Sequence, residues 1–341
     1  MSLAFERSDS LERAIAVLRA GVVARDLCRR GGRGEVAAVF ERSFYLRSGE
    51  DFICIGEPTI GNGPTTVIVG ARVAELGLRQ GQRAFIRNEL IEVGDLLLDF
   101  ANCETWRAPA WPKVPSHAAL RGTCAALARR AAAESPTDSL ARAVFAVDDT
   151  PLARVARPRV AKFAAWLSER ILASSSSAKA DDPVSTDTSV KLRAQCLLDA
   201  PLSRGMTSQS QVRAPSRAMT SKEIVSDPVS QLVGLGPGLT PSGDDFLIGA
   251  LAALDALGQT NMHTALGRAV VAAAGRTSPL SASLLRAAAA GHVGENLHMM
   301  LAALVTGDAD AAIDAAARIG HTSGWDALAG AVVTARNLYR G

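Results

Sequence analysis

This sequence predicts an α+β protein, an N-terminal antiparallel β-barrel-like domain followed by an all-α helical bundle domain, and three observations carry that prediction. From Gly34 to about Phe100, apolar residues alternate with polar or small ones between turns rich in Gly and Pro. From Ser116 onward the apolar spacing becomes helical and the composition shifts to Ala, Leu and Arg. Hydrophobic residues make up 48% of the chain but aromatic ones only 4%, so the helices are expected to pack closely through small side chains.

In chain order, a short first helix is expected over roughly Leu11 to Ala20. Val36, Ala38 and Phe40 then set the first alternation, Phe44 and Leu46 the second, and Phe52 to Ile55, Thr65 to Val69 and Arg83 to Ile86 follow. Ser48-Gly49-Glu50-Asp51, Gly61-Asn62-Gly63-Pro64 and Arg79-Gln80-Gly81-Gln82 mark the turns. No long helix separates the strands, so neither parallel crossovers nor a Rossmann domain is expected. This β-rich domain spans residues 1–115, with the junction near Pro112 to Pro115.

The second domain spans residues 116–341 and opens with helices over Leu120 to Ala133 and Ala153 to Leu172. Residues 174–228 interrupt it with Ser, Thr, Asp and Pro and few large apolar side chains, which predicts a mobile insertion with at most a short helix over Gln195 to Leu198. Helices resume over Phe246 to Leu257, Thr264 to Ala274, Leu280 to Ala290, Gly294 to Leu304, Ala309 to Arg318 and Trp325 to Tyr339.

The 341 residues are enough for two domains, and the net charge of +3 is small for that length. Arginine-containing stretches such as Arg25 to Arg33 are short and lack interleaved aromatics, so no nucleic-acid partner is indicated. Cysteines 28, 54, 103, 124 and 196 are odd in number and widely spaced, which fits neither a disulfide framework nor a structural zinc site. Met1 to Ser10 lack the order of a signal peptide and no apolar stretch reaches membrane-spanning length, so a cytoplasmic protein with no membrane partner is expected.

The segment least like structural filler is Gly234 to Asp245, with four glycines, two prolines, two hydroxyls and two carboxylates directly before an apolar helix. Gly234, Gly236, Gly238 and Gly243 permit positive φ and close backbone approach, while Pro237 and Pro241 stiffen the loop. A glycine-rich turn entering a helix gathers unpaired N–H groups and the positive end of the dipole, which favours a small anion. The plainer reading is a cap at Ser242 or Asp244, worth about 1 kcal/mol, with the glycines serving a turn.

Asp244 and Asp245 complicate an anion site, since they would repel a bare anion; they must cap, hold a cation, or meet a donor on the substrate. Two further segments put hydroxyls at helix starts, Thr277-Ser278-Pro279-Leu280-Ser281 and His321-Thr322-Ser323-Gly324-Trp325-Asp326. If the three starts meet, their donors converge on one polar pocket. Ser242 lies in Pro-Ser-Gly and not in a Gly-x-Ser-x-Gly elbow, so a nucleophilic serine is not indicated. His292 and Glu295 are expected at the surface, His117 at the domain junction, and Arg286 solvated or paired.

The string Gly234-Leu-Gly-Pro-Gly-Leu-Thr-Pro-Ser-Gly-Asp-Asp245, with Gly320-His-Thr-Ser-Gly324 later, resembles the signature of the AllH-like family, and the resemblance covers most of the chain. It implies a β-rich N-terminal part with a Gly-Pro turn before a strand, as at Gly63-Pro64, and a helical C-terminal part. It also implies a subunit of oxamate carbamoyltransferase, a multi-subunit activity of purine and allantoin catabolism that interconverts oxalurate and phosphate with oxamate and carbamoyl phosphate. The partners expected are such a small anionic substrate and other protein subunits.

On that reading Gly236, Gly238, Thr240, Ser242, Gly243, Thr277, Ser278, Thr322, Ser323 and Gly324 bind substrate. Asp244 or Asp245 orients the amino group of oxamate or accepts its proton, and His321 donates a proton or meets phosphate. No cofactor is expected, with Mg²⁺ or another divalent ion as the alternative use of the carboxylates. A non-catalytic metabolite-binding or scaffolding subunit and a standalone amide hydrolase are the competing functions.

Overall fold

A computed structural model of the chain describes residues 14–114, 116–146, 149–177 and 227–339. Its first half is a closed barrel. Strands β1 (Ala14–Gly21), β2 (Gly32–Val39), β3 (Ser43–Ser48), β4 (Asp51–Gly56), β5 (Thr66–Val69), β6 (Arg83–Arg87), β7 (Leu90–Val93) and β8 (Leu96–Asp99) run in the order β5-β4-β3-β2-β6-β7-β8-β1, and β1 pairs back onto β5. A ninth strand, β9 (Glu104–Trp106), adds to β1. Closure removes exposed sheet edges. Phe44, Leu46, Ile53, Ile55, Val67, Ile91 and Leu98 fill the interior, and the alternation that buries Phe44 and Leu46 sends Tyr45 to the outer face.

The barrel corrects the expected first helix. Ala14–Gly21 is a strand, with Val17 opposite Val69 and Ala20 opposite Val67 in the barrel wall; Leu11 to Arg13 lie outside the described residues. Its short Ala, Ile, Val and Leu run suits either state, and pairing on both edges decides for the strand. The helix comes one element later, as α1 (Val22–Arg30), within the arginine-rich stretch, burying Ala24, Arg25, Leu27 and Cys28 and ending at Gly31 with φ 67°. The sheet is also mixed, not wholly antiparallel: β1 runs parallel to β8 and β9, and β4 to β5. One strand, β1, serves both edges and closes the barrel, antiparallel to β5 on one side and parallel to β8 on the other.

Among the described residues beyond Trp106 the chain has no strand. Helices α2 (His117–Glu134), α3 (Ala141–Phe145), α4 (Pro151–Ser177), α5 (Ser242–Ala256), α6 (Thr260–Ala273), α7 (Pro279–Ala289), α8 (Glu295–Thr306), α9 (Ala309–Ala317) and α10 (Ser323–Leu338) contribute to one apolar core. Helix α4 reaches Ser177, so residues 174–177 of the expected insertion are helical; residues 178–226, with the expected short helix at Gln195 to Leu198, lie outside the described residues. None of the described helices is long and apolar enough to cross a membrane.

At the centre α5 and α10 touch backbone to backbone. A Cβ on Gly249 would lie 1.9 Å from the Ala327 carbonyl oxygen, and one on Gly330 1.9 Å from that of Phe246, so a side chain at either position would drive the helices apart.

The barrel docks through β4 on α7. The Phe52 amide donates to Ser283 Oγ at 3.3 Å, and Arg286 Nη2 to the Glu50 carbonyl at 2.8 Å. The turn between β4 and β5 meets α8: Glu295 Oε2 accepts from the Asn62 amide at 3.0 Å and from Asn62 Nδ2 at 2.9 Å. Glu295, expected at the surface, is therefore a tie between barrel and helices, because the start of α8 lies against the barrel. His117 packs on Tyr339, ring centroids 4.2 Å apart, at the chain's last described turn.

Candidate functional site

The glycine loop leads from the turn at 227–234 into α5. Gly234, Gly236 and Gly238 have φ of 74°, 110° and 99°, a region that side chains with a Cβ adopt only with strain. A Cβ on Gly234 would lie 2.7 Å from the Arg276 carbonyl oxygen, whereas Gly238 faces open space. The first packs; the second is free to meet a ligand.

Asp244 fastens this loop to two helices. It is fully buried; Oδ1 accepts from the Gly234 amide at 2.8 Å, and Oδ2 accepts from the hydroxyls of Thr277 and, at 2.7 Å, Ser281. Burial raises its pKa, and the same three donors pull it down. With both oxygens engaged, Asp244 ties the loop to α7.

The other helix starts close on the same loop. Ser278 caps α7 by accepting from the Ser281 amide at 3.1 Å and donates to the Leu239 carbonyl at 2.6 Å. Ser323, first residue of α10, lies 3.3 Å from the Thr240 hydroxyl. The loop is thus held by α5, α7 and α10 together. Thr322 stands half-buried at the α10 cap without a side-chain cap bond.

The free donors differ from those the sequence suggests. Gly243 N–H bonds to the Leu235 carbonyl at 2.8 Å, and those of Asp244 and Asp245 to the Pro241 carbonyl at 2.9 and 3.2 Å. Most of the α5 tip is therefore spent within the loop. Among the described residues, the amides of Gly236, Gly238, Leu239 and Thr240 make no hydrogen bond. Gly243 and Gly324 serve packing: a Cβ on either would lie 2.0 Å from a carbonyl oxygen, of Leu232 and Ala316 respectively.

Beneath the loop lies Asp245, 6% exposed, with Oδ2 unpartnered. Burial raises its pKa well above the carboxylate range; the charges of Asp326 and Asp244 add to this, and the flanking Ser323 and Thr240 hydroxyls oppose it without closing a bond on Oδ2. Burial therefore favours the protonated form of Asp245.

Sequence reasoning missed two neighbours. Asp326 on α10 is fully buried; Oδ1 accepts from Ser139 Oγ at 2.5 Å and the Ala141 amide at 3.1 Å, and Oδ2 has no partner. Burial pushes its pKa up to about 6 against the pull of the Ser139 and Ser242 hydroxyls and nearby amides. Tyr45, on the outer face of β3, has its phenol pKa pushed up by burial, then by Cys54 and by the charge of Asp245 across the domain joint. The residue three beyond Ser323 and the outward strand position at Tyr45 were the available signals.

His321 is turned elsewhere: its side chain is 77% exposed and its Nε2 lies 3.4 Å from Asp138 Oδ1. Among the described residues, no three His, Cys, Asp or Glu side chains stand together as a metal site. An open groove of about 410 Å³ lies on the barrel, lined by Arg33, Gly34, Arg83, Ala84 and Phe85. It brings two cations but no acid, base or hydroxyl cluster, so the glycine loop remains the better candidate for chemistry.

Residues 232–335 match the family model of oxamate carbamoyltransferase subunit AllH, and residues 13–105 match that of the AllH family N-terminal domain. No solved structure matches the chain. The first match begins at the glycine loop's approach and takes in all three helix starts of the site.

Proposed function

The chain belongs to the AllH family, and on that premise we propose that it is the carbamoyltransferase subunit whose glycine loop receives the small anionic substrate and whose Asp245 handles the transferred proton. One observation carries this reading: the loop with the unbonded amides of Gly236, Gly238, Leu239 and Thr240 also brings the Thr240 hydroxyl to a buried carboxyl, Asp245, that has a free oxygen. Main-chain donors fixed in advance suit an oxyanion or phosphate. Burial favours the uncharged form of that carboxyl, which weakens its repulsion of an anion.

In the direction that forms oxamate, a phosphate oxygen attacks the carbamoyl carbon of oxalurate and the bond to the oxamate nitrogen breaks. Asp245 gives its proton to that nitrogen, and the proton lost by the attacking HPO₄²⁻ replaces it. In reverse, Asp245 gives its proton to the departing phosphate and is reprotonated by the oxamate amide as that nitrogen attacks the carbamoyl carbon. The hydroxyls of Thr240 and Ser323 rim the loop as further donors, while Ser278, which donates to the Leu239 carbonyl, and Asp244, with Thr277, keep the loop in shape. Other subunits complete the enzyme, as the family's description as a subunit implies.

The test is binding of carbamoyl phosphate and of inorganic phosphate to the purified chain, followed by the melting temperature. A ligand that binds only the folded form raises it, and Gly238→Ala should remove the rise. Equal rises in wild type and Gly238→Ala would overturn the assignment of the loop.

A further inference from the structure

Around the site the chain repeats itself. Leu235-Gly236 and Ile319-Gly320 each precede a helix that begins Ser-Gly-x-Asp, Ser242 to Asp245 on α5 and Ser323 to Asp326 on α10, with a further glycine at Gly249 and Gly330, seven positions after each serine. The repeat is also geometric. Gly243 N–H bonds to the Leu235 carbonyl at 2.8 Å and Gly324 N–H to the Ile319 carbonyl at 2.9 Å. The Leu232 and Ala316 carbonyls crowd Gly243 and Gly324 alike at 2.0 Å from a built Cβ, and Gly249 and Gly330 each meet the other helix at 1.9 Å. The two helices are related by a local two-fold.

That symmetry exchanges their polar groups. The Ser242 hydroxyl of α5 acts on Asp326 of α10, and the Ser323 hydroxyl of α10 acts on Asp245 of α5. Among the described residues, Asp245 Oδ2 and Asp326 Oδ2 are the buried carboxylate oxygens without a partner. From this geometry we propose that Asp245 and Asp326 form one carboxyl pair holding a single proton, with Asp245 the acid and Asp326 the positioning residue that keeps the proton there. The use of that proton in carbamoyl transfer rests on the function proposed above; the pair itself does not.

The asymmetry between the halves places the proton. Asp326 Oδ1 accepts from Ser139 and from the Ala141 amide in addition to the influence of Ser242, and donors of this kind favour the ionised form. Asp245 has only the flanking hydroxyls of Ser323 and Thr240, and faces the charges of Asp326 and Asp244. From the other packed elements it meets the Tyr45 phenol of β3. His263 of α6 and His298 of α8 are engaged by the carbonyls of Ala288 and Pro109, at 3.3 and 3.0 Å. Like charges sharing a site raise one member's affinity for protons.

Infrared spectroscopy of the full chain across pH tests the pair through the C=O stretch of a protonated carboxyl, with circular dichroism as a check of folding. The wild-type chain should show such a band near neutrality, and Asp245→Asn should remove it. Asp326→Asn should lower its midpoint by at least one pH unit, a tenfold change in the acid constant, and Ser323→Ala should raise it. A band that survives Asp245→Asn, or a midpoint unmoved in Asp326→Asn, overturns the pair; if Asp326→Asn does not fold, an unmoved midpoint in Ser323→Ala does the same. Failure of carbamoyl phosphate to bind while these shifts occur would sink the proposed function and leave the pair standing.

Discussion

The starts of α5 and α10 use the same glycines for the same close contacts, yet different loops approach them. Between Ile319-Gly320 and Ser323 the chain inserts only His321 and Thr322, and His321 turns out to Asp138. Between Leu235-Gly236 and Ser242 it inserts Pro-Gly-Leu-Thr-Pro, which adds the unbonded amides of Gly238, Leu239 and Thr240; the shorter approach leaves those of Gly320, His321 and Thr322 unbonded. The two helix starts share a scaffold, and the approach to α5 is the longer of the two.

The most severe break is at the helix crossing. Gly249→Ala or Gly330→Ala puts a methyl against a carbonyl oxygen 1.9 Å away, and either should cost more than about 4 kcal/mol, read as loss of the folded chain in a denaturant titration. Gly238→Ala meets nothing within 4 Å and bears only the strain of φ 99°, so it should cost about 1–2 kcal/mol. Similar losses at both positions would erase the division between scaffold and loop.

Next come the adjacent carboxylates. Asp245→Asn should cut the turnover of the assembled enzyme by about 10²–10⁴-fold with little change in folding stability, because burial favours the uncharged carboxyl that the amide resembles. Asp244→Asn should act on stability instead, costing about 1–3 kcal/mol, since the NH₂ that replaces one oxygen leaves either the Gly234 amide or the two hydroxyls facing a donor. Reversal of that pattern in paired kinetic and unfolding measurements would exchange their roles.

A third effect is on pH. The Asp326 carboxyl, at about 6 in the folded chain, lies above its unfolded value near 3.9, so folding takes up protons between the two. Its contribution is full below about pH 4 and lost as pH rises through 6, a decline of roughly 3 kcal/mol. Asp326→Asn should flatten unfolding free energy over that window; an unchanged slope would remove Asp326 from the account. The smallest effect is at His321, whose exposed pair with Asp138 is worth less than about 0.5 kcal/mol. His321→Ala should melt like wild type, and a tenfold loss of turnover in that variant would extend the site to its ring.

Much of this architecture was legible in the residues, because period-2 and period-3.6 patterns act locally. Phe44, Leu46, Ile53 and Ile55 alternate as a barrel wall should, and the helix starts at Ser242, Pro279 and Ser323 announce themselves by hydroxyls and glycines. The strand at Ala14–Gly21 was not legible, since its state depends on pairing with β5, β8 and β9, distant in sequence. The site divides the same way. Its loop could be read from composition, whereas the spending of the α5 amides on Leu235 and Pro241, the engagement of both Asp244 oxygens and the approach of Asp326 and Tyr45 arise only when separate segments meet.

The most direct test is a titration of the ¹⁵N-labelled chain with carbamoyl phosphate, followed by amide resonances. Saturable shifts centred on Gly236, Gly238, Leu239 and Thr240 are the predicted result. Shifts confined to the barrel groove around Arg33 and Arg83, with those four amides unmoved, would contradict it.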